Sequence, residues 1–417
     1  MTIFLPGGAR HGELRAVPSK SASHRFFICA AFGAQPCEIA CEPLSYDLEA
    51  TLGCLSALGA AVSYTGGRVR IEPIRGIPSG ERLLPCGESG TTLRFLLPLA
   101  GALGASAVFE RRGRLGERPL EPFVSELRGH GMNIEDERDV LRCTGRLRGG
   151  NWTLPGDVSS QFISALLLAL PLLEEDSTLT LTPPLESAPY IALTERVLRS
   201  ASVRFVREGL RYTIPGRQRP ALPPALAVEG DWSAAAPFLA MGALSEKGVA
   251  VSALDTDSVQ GDRAIVELLR TFGAEVSVEN GRAAVRKKEL RGIRFDAAQT
   301  PDLAPVIAAL GALSEGETRI ENASRLRGKE SDRLFTTAAM LRSLGAEVGE
   351  LPDGLLVRGR PFLCGGAADG FSDHRIAMAA AVAASGCKEG VTLRGAECVG
   401  KSNPRFWDDF LSLGGRR

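Results

Sequence analysis

A phrase of the form Leu-x-x-Leu-Gly-Ala-x-Val returns at a nearly constant interval along this 417-residue chain, and it constrains the fold more than any other feature. It reads LSALGAAVSY with Gly59, ELRGHGMNIE with Gly131, LRSASVRF with Ser202, LRTFGAEVSV with Gly273, LRSLGAEVGE with Gly345 and FLSLGG with Gly414. Successive spacings are 72, 71, 71, 72 and 69 residues, so the chain is six repeats of about 71 residues. Each phrase predicts the end of an amphipathic helix closed by a left-handed glycine, with Leu48, Leu52 and Leu55, or Leu334, Ala338 and Leu341, on its apolar face. Ser202 departs from that cap. Alternating segments follow, such as Ala274 to Val278 and Ala283 to Arg286 around Glu279, Asn280 and Gly281, which predict a hairpin.

An earlier helix recurs as well, starting at Lys20, Gly90, Ser160, Ser233, Asp302 and His374. The later one starts near Asp47, Arg118, Pro189, Gly261, Asp332 and Pro404, the last suited to the first helical position. Each repeat therefore reads as helix, strand, helix, hairpin, an α/β unit with its helices on one side of a mixed sheet. The sixth repeat stops before its hairpin. The segments TIFLPG and ELRAV, ahead of the first helix, are expected to complete it and to bring both termini into one domain. The predicted division is 1–17 with 228–417 (repeats four to six) and an inserted 18–227 (repeats one to three). The crossings fall near Val17 and in the Pro-rich stretch from Arg217 to Gly230, and two linkers suggest a hinge.

Lys and Arg number 49 and Asp and Glu 49, so the net charge is zero and a whole-surface polyanion binder is disfavoured. Nucleic acid and membrane surfaces are accordingly poor partners, and anion binding has to come from local clusters. The nine cysteines, Cys29, Cys37, Cys41, Cys54, Cys86, Cys143, Cys364, Cys387 and Cys398, contain no CxxC pair, so neither a disulfide framework nor a zinc site is expected. The N-terminal segment lacks an apolar h-region. The longest apolar run, from Phe162 to Leu173, is broken by Ser164 and Pro171 and is too short to span a bilayer. The expectation is a soluble cytoplasmic protein.

The helix starts carry the chemistry. PSKSASHR brings Lys20, Ser21 and Arg25 to the first turn of a helix, where positive charge is unfavourable unless an anion lies between the cations and the exposed N–H groups. CGESGTTLR offers Gly87, Gly90, Thr91 and Arg94, a glycine turn open to close ligand approach. GDVSSQF offers the neutral donors Ser159, Ser160 and Gln161. RLRGKESDR places Lys329, Glu330 and Arg333 beside Ser331 and Asp332, while SDHR adds His374 and Arg375, and GKSNP adds Lys401. Simple capping accounts for any single Ser or Asp here. The cationic starts are harder to explain that way, and if three repeats surround a pseudo-threefold axis in each domain, the starts are expected to line a cationic cleft.

Taken together, PSKSASHR, GESGTTLR, the ERP from Glu117 to Pro119, DVSSQF, the VEGD from Val228 to Asp231, GKESDR, SDHR and GKS resemble, in order and spacing over nearly the whole chain, the 5-enolpyruvylshikimate-3-phosphate synthases. The resemblance implies a two-domain inside-out α/β barrel, each domain three pseudo-threefold repeats of the helix-strand-helix-hairpin unit, with the active site in the cleft between domains. It implies transfer of the enolpyruvyl group of phosphoenolpyruvate to the 5-hydroxyl of shikimate 3-phosphate, through a tetrahedral addition-elimination intermediate, on the shikimate pathway to aromatic amino acids. No metal or organic cofactor is implied, the partners are small anionic substrates, and a monomer is expected.

By matched motif, Lys20, Ser21, Arg25, Ser159, Ser160, Gln161, Ser187, Asp302 and Lys329 would hold shikimate 3-phosphate. Lys20, Gly90, Arg118, Gln161, Arg333, Arg375 and Lys401 would hold phosphoenolpyruvate. Asp302 would be the base for the attacking hydroxyl and Glu330 the proton donor at the methylene, with Lys20 a participant in either transfer. The chain departs from the family's Asn-Ala-Gly with Glu88, Ser89 and Gly90, and has Arg325 where an Asn helps bind the shikimate phosphate; both bear on fine substrate contacts. The sister transferase acting on UDP-N-acetylglucosamine typically has Lys-Asn at the first motif and a loop Cys, whereas here Ser21 follows Lys20 and the loop from Arg111 to Pro119 has no Cys. A non-catalytic polyanion binder, the other alternative, has little use for Asp302 and Glu330 among its cations.

Overall fold

The protein is described by a computed structural model over residues 1–414. It divides into two compact lobes: a contiguous lobe, Lys20–Val228, and a split lobe formed by Met1–Ser19 with the chain from Glu229 onward. The described helices of the contiguous lobe are α1 (Lys20–Ala31), α2 (Tyr46–Ala57), α3 (Gly90–Leu103), α4 (Phe123–Gly129), α5 (Ser160–Ala169) and α6 (Ala188–Ser200). Those of the split lobe are α7 (Trp232–Ala243), α8 (Ile265–Phe272), α9 (Ala304–Gly311), α10 (Arg333–Ser343), α11 (His374–Ala384) and α12 (Phe406–Ser412).

Six sheets accompany them. In the contiguous lobe the strand orders are Ala225–Ala227, Cys37–Ala40, Arg68–Glu72, Ala61–Thr65; then Arg82–Gly87, Ala107–Arg111, Val140–Gly145, Met132–Asp136; then Gly150–Pro155, Ser177–Thr182, Arg211–Ile214, Val206–Glu208. In the split lobe they are Gly12–Arg15, Val249–Ser252, Arg282–Arg286, Glu275–Glu279; then Arg294–Asp296, Glu317–Glu321, Gly354–Arg358, Glu347–Leu351; then Gly366–Asp369, Val391–Arg394, Thr2–Leu5. Every first pair is parallel and every later pair antiparallel.

Each repeat thus owns a leading strand that the sequence pattern did not show. The reason is physical: RFD and ALA are three residues long, and RLLPCG and GNWTLP carry Pro and Gly that blur a period of two. The expected completion of the sixth repeat is half right. Thr2–Leu5 does pair antiparallel with Val391–Arg394, but Gly12–Arg15, within ELRAV, pairs parallel with Val249–Ser252 of the fourth repeat. Correspondingly Ala225–Ala227, which precedes α7 in the chain, leads the sheet of the first repeat. The first and fourth repeats have exchanged leading strands.

The first helix of each repeat is central. All residues of α9 and α11 are buried, as are all of α7 except Ser233, and these three pack on one another. In the contiguous lobe α5, buried throughout except at Gln161, packs on α1 and α3. Helices apolar on every side belong in the middle, with the sheets outside. Their polar exceptions, Lys20 and Ser21 in α1, Thr91 in α3, Gln161 in α5 and Ser233 in α7, cluster in the first turns.

The second helices end as the sequence predicts. Gly59, Gly273 and Gly345 have φ of 111°, 99° and 91°, and the amides of Ala60, Ala274 and Ala346 donate to the carbonyls of Leu55, Leu269 and Leu341. Ser202 takes the same left-handed conformation at φ 58°, with Val203 N donating to Leu198 O at 2.9 Å. Asn280 and Gly281, with φ of 51° and 73°, form the predicted hairpin turn. Two later helices start elsewhere than expected. Arg118 follows the 3-10 turn Gly113–Glu117 and precedes α4 by several residues, and Pro404 lies ahead of the Arg405 cap of α12 rather than at its first position.

Candidate active site

In the contiguous lobe, α1 opens on Lys20, whose Nζ is 2.7 Å from Asp47 Oδ2. Asp47 lies in the first turn of α2, where a carboxylate is favoured by the helix dipole, and the sequence reading noted it only as a helix start. One turn into α1, Arg25 is buried and spends its donors on neutral acceptors. Nε reaches Thr194 Oγ1 at 2.7 Å, Nη1 reaches Ser21 O at 2.6 Å, and Nη2 reaches Tyr190 O at 3.1 Å and Ser164 Oγ at 3.3 Å. Burial pushes its pKa down to about 9, which leaves it charged at neutral pH. A buried chain of His24 Nδ1, Thr51 Oγ1, Thr92 Oγ1 and Ser89 Oγ, with links of 2.8, 2.7 and 2.7 Å, ties the starts of α1, α2 and α3 together. Burial, then Lys20 and Arg25, hold His24 well below its ordinary pKa.

At the start of α3 the Arg118 guanidinium lies on Gly90, where an added Cβ would come within 2.7 Å of Nη1. Gln161, in the first turn of α5, donates from Nε2 to Thr91 Oγ1 at 2.9 Å and accepts from Arg94 Nη1 at 2.6 Å. Arg94 also donates to Pro119 O and lies over the Phe162 ring. Its rigid fork thereby joins Gln161 to the Arg118 segment, a role the sequence reading did not assign. Ser159 caps α5 by accepting from Gln161 N, and Ser160 follows it. Ser187 stands before α6 with φ 52°, a left-handed conformation that costs a non-glycine residue about 1 kcal/mol or more.

In the split lobe the residues singled out by sequence converge on Asp302, in the short 3-10 turn before α9. Its Oδ1 is 2.9 Å from Arg333 Nη1 and 3.8 Å from Lys329 Nζ, and its Oδ2 is 3.2 Å from Arg375 Nη2. Burial works against the charge, but Lys329, Arg375 and Arg333 outweigh it and hold the carboxyl well below the usual carboxylate range. Arg333, only 2% exposed, also meets Glu330 Oε2 at 2.7 Å and Asp373 Oδ2 at 2.8 Å. Burial opposes its charge; Asp373, Glu330 and Asp302 reverse that and raise its pKa well above the ordinary value.

Asp373 is a further residue that sequence reading missed. It caps α11 by accepting from Arg375 N at 3.0 Å, and it accepts from Ser331 Oγ at 2.9 Å. An Asp just before a His-Arg pair reads as an ordinary cap, and nothing local signals its pairing with an Arg 40 residues away. Lys401 closes the 3-10 turn Ala396–Lys401 and donates to Ser372 O at 2.9 Å. Three cations, Lys329, Arg333 and Arg375, therefore pair among three carboxylates, Asp302, Glu330 and Asp373. An anion placed among these cations would compete with the carboxylates for them, which would couple its binding to the proton affinity of the acids.

Among the described residues no group of His, Cys, Asp and Glu is arranged to hold a metal ion, and no helix is long and apolar enough to cross a membrane. Residues 6–410 match the profile of the family described as EPSP synthase (3-phosphoshikimate 1-carboxyvinyltransferase). The chain belongs to the EPSP synthase family. A 3-phosphoshikimate 1-carboxyvinyltransferase of Clostridium kluyveri is 40% identical over 97% of this chain and 95% of its own length. That of a Clostridium perfringens strain is 40% identical over 99% and 98%. Among solved structures, EPSP synthase from Acinetobacter baumannii superposes with a TM-score of 0.82 at 26% identity, covering 99% of this chain and 97% of that one. The enolpyruvyl transferase NikO from Streptomyces tendae, at 20% identity and a TM-score of 0.81 over 100% and 98%, shares the fold. The α/β class with repeated sheet units expected from sequence is thus the fold of this EPSP synthase family member.

Proposed function

We infer that this chain is a 3-phosphoshikimate 1-carboxyvinyltransferase, transferring the enolpyruvyl group of phosphoenolpyruvate to the 5-hydroxyl of shikimate 3-phosphate and releasing phosphate. The observation that carries the mechanism is the web of ion pairs around Asp302. In the addition step the 5-hydroxyl oxygen bonds to C2 of phosphoenolpyruvate, its proton passes to Asp302, and C3 receives a proton from Glu330 to become a methyl. In the elimination step the methyl gives a proton back, the C2–O bond to phosphate breaks, and phosphate leaves. A carboxylate held as low as Asp302 is a weak base while its cations are its own. When the anionic substrate engages Arg333, Arg375 and Lys329, the field on Asp302 weakens and its proton affinity rises toward the working range.

Lys20, Ser21, Arg25, Ser159, Ser160, Gln161, Ser187, Asp302 and Lys329 form the shikimate 3-phosphate side of this proposal. Lys20, Gly90, Arg118, Gln161, Arg333, Arg375 and Lys401 form the phosphoenolpyruvate side, where cations stabilise charge on the departing phosphate. Each set draws residues from both lobes. All nine cysteines are free thiols and eight are buried, which suits a reducing compartment such as the cytoplasm.

A coupled phosphate-release assay with both substrates tests the reading; turnover with UDP-N-acetylglucosamine in place of shikimate 3-phosphate would overturn it. Asp302→Asn and Glu330→Gln should each lower kcat by roughly 10²–10⁴-fold, the usual range for a positioned acid or base. A full rate in either variant removes that residue from the chemistry.

A further inference from the structure

One buried carboxylate near the ion-pair web is not used by the mechanism above. Asp262, in the 3-10 turn Gly261–Ala264 that leads into α8, is 1% exposed. Its Oδ2 accepts from the hydroxyl of Ser233, and its Oδ1 is buried with no hydrogen-bond partner. Ser233 is the one residue of α7 that is not buried, and its carbonyl accepts from Arg375 Nη1 at 3.0 Å. The other arm of Arg375 reaches Asp302 Oδ2 at 3.2 Å. Asp262 therefore stands one residue behind Arg375, connected to it through both polar groups of Ser233. The charged groups facing it are Asp302 ahead of α9, Arg375 of α11 and Asp231 at the cap of α7. Arg263 beside it is exposed, and Glu267 and Arg270 of α8 pair with each other at 2.6 Å on the exposed side.

We propose that Asp262 is a positioning residue that holds Ser233 and Arg375 in place and takes up a proton from solvent when an anion settles on Arg375. The proposal rests on the assignment of Arg375 to phosphoenolpyruvate. A buried carboxylate with one oxygen unbonded is costly when ionised, and what sustains its charge is the field of Arg375 and the Ser233 hydroxyl, against Asp302 and Asp231. An anion on Arg375 cancels much of that field, and the cheapest response is protonation. Burial, then Asp302, already raise the Asp262 pKa to about 6. By linkage, acidification through that range strengthens anion binding at Arg375.

The sign for stability is fixed as well. A carboxyl whose folded pKa is raised destabilises the fold as pH climbs from its ordinary value through about 6, so the ionised form is a cost at neutral pH. Asp262→Asn keeps the shape and an acceptor for Ser233 while removing the charge.

The test compares the KM for phosphoenolpyruvate in wild type and Asp262→Asn from about pH 5.5 to about pH 8.5 at saturating shikimate 3-phosphate. Titration of phosphoenolpyruvate itself is common to both proteins and cancels in the ratio of KM values. The ratio of wild type to variant should be near one at the acid end and rise several-fold by the alkaline end, with KM changing more than kcat. Ser233→Ala, which removes the donor, should shift the wild-type limb to higher pH. The melting temperature of Asp262→Asn at about pH 7.5 should exceed that of wild type. A pH-independent ratio, an unmoved limb in Ser233→Ala, or a variant that melts lower or fails to fold overturns the proposal. Wild-type protein that does not turn over these substrates sinks the functional reading instead, and the melting comparison still decides on Asp262.

Discussion

Arg333 shows how much a single side chain organises. Its guanidinium holds Asp302, Glu330 and Asp373 at once while almost fully buried, so Arg333→Met should leave three carboxylates crowded without their common cation. Breaking a buried pair by removing one partner costs about 3–5 kcal/mol, which urea unfolding would read as a lowered midpoint; an unchanged midpoint would mean that neighbouring lysines compensate. Gly90 works by absence. The Arg118 guanidinium occupies the place a Cβ would need, so Gly90→Ala should displace it and raise the KM for phosphoenolpyruvate roughly tenfold, the effect of losing one charge-assisted contact, with a smaller change in kcat. At this scale the sequence pointed to most members of the ion-pair web, because Lys, Arg and Gly at helix starts are unusual enough to notice. It gave Asp47 and Arg94 no pairing role and did not name Asp373 or Asp262. Each is an ordinary residue in its own segment and becomes significant only through a partner 27 to 67 residues away or through burial, neither of which a local pattern records.

The repeated helix cap offers a cleaner experiment than any catalytic residue. Ser202 adopts the left-handed conformation that glycine adopts at Gly59, Gly131, Gly273 and Gly345, and a Cβ there is penalised by about 1–2 kcal/mol before the entropy of glycine in the unfolded chain is subtracted. Ser202→Gly should therefore stabilise the protein by about 0.5–1 kcal/mol. Thermal unfolding measures it, and a destabilised variant would mean that the serine side chain contributes more than its strain. The second helices and hairpins were legible because their glycine caps and alternating residues act within a few positions of one another. The leading strands were not, since a three-residue strand such as Arg294–Asp296 is held by its parallel neighbour rather than by its own sequence. The same holds for Gly12–Arg15 and Ala225–Ala227, whose partners are chosen across more than 180 residues.

For the molecule as a whole, strand partners are drawn from distant parts of the chain. The pairing of the chain's first strand has a consequence of another kind, in the order of synthesis. Thr2–Leu5 is made long before its partner Val391–Arg394, and Gly12–Arg15 waits for Val249–Ser252. In between, Lys20–Val228 leaves the ribosome with every strand of its three sheets already present. The contiguous lobe can thus become protease-resistant on a nascent chain that still carries an unpaired segment ahead of it, and only synthesis through Val391–Arg394 lets that segment find its place.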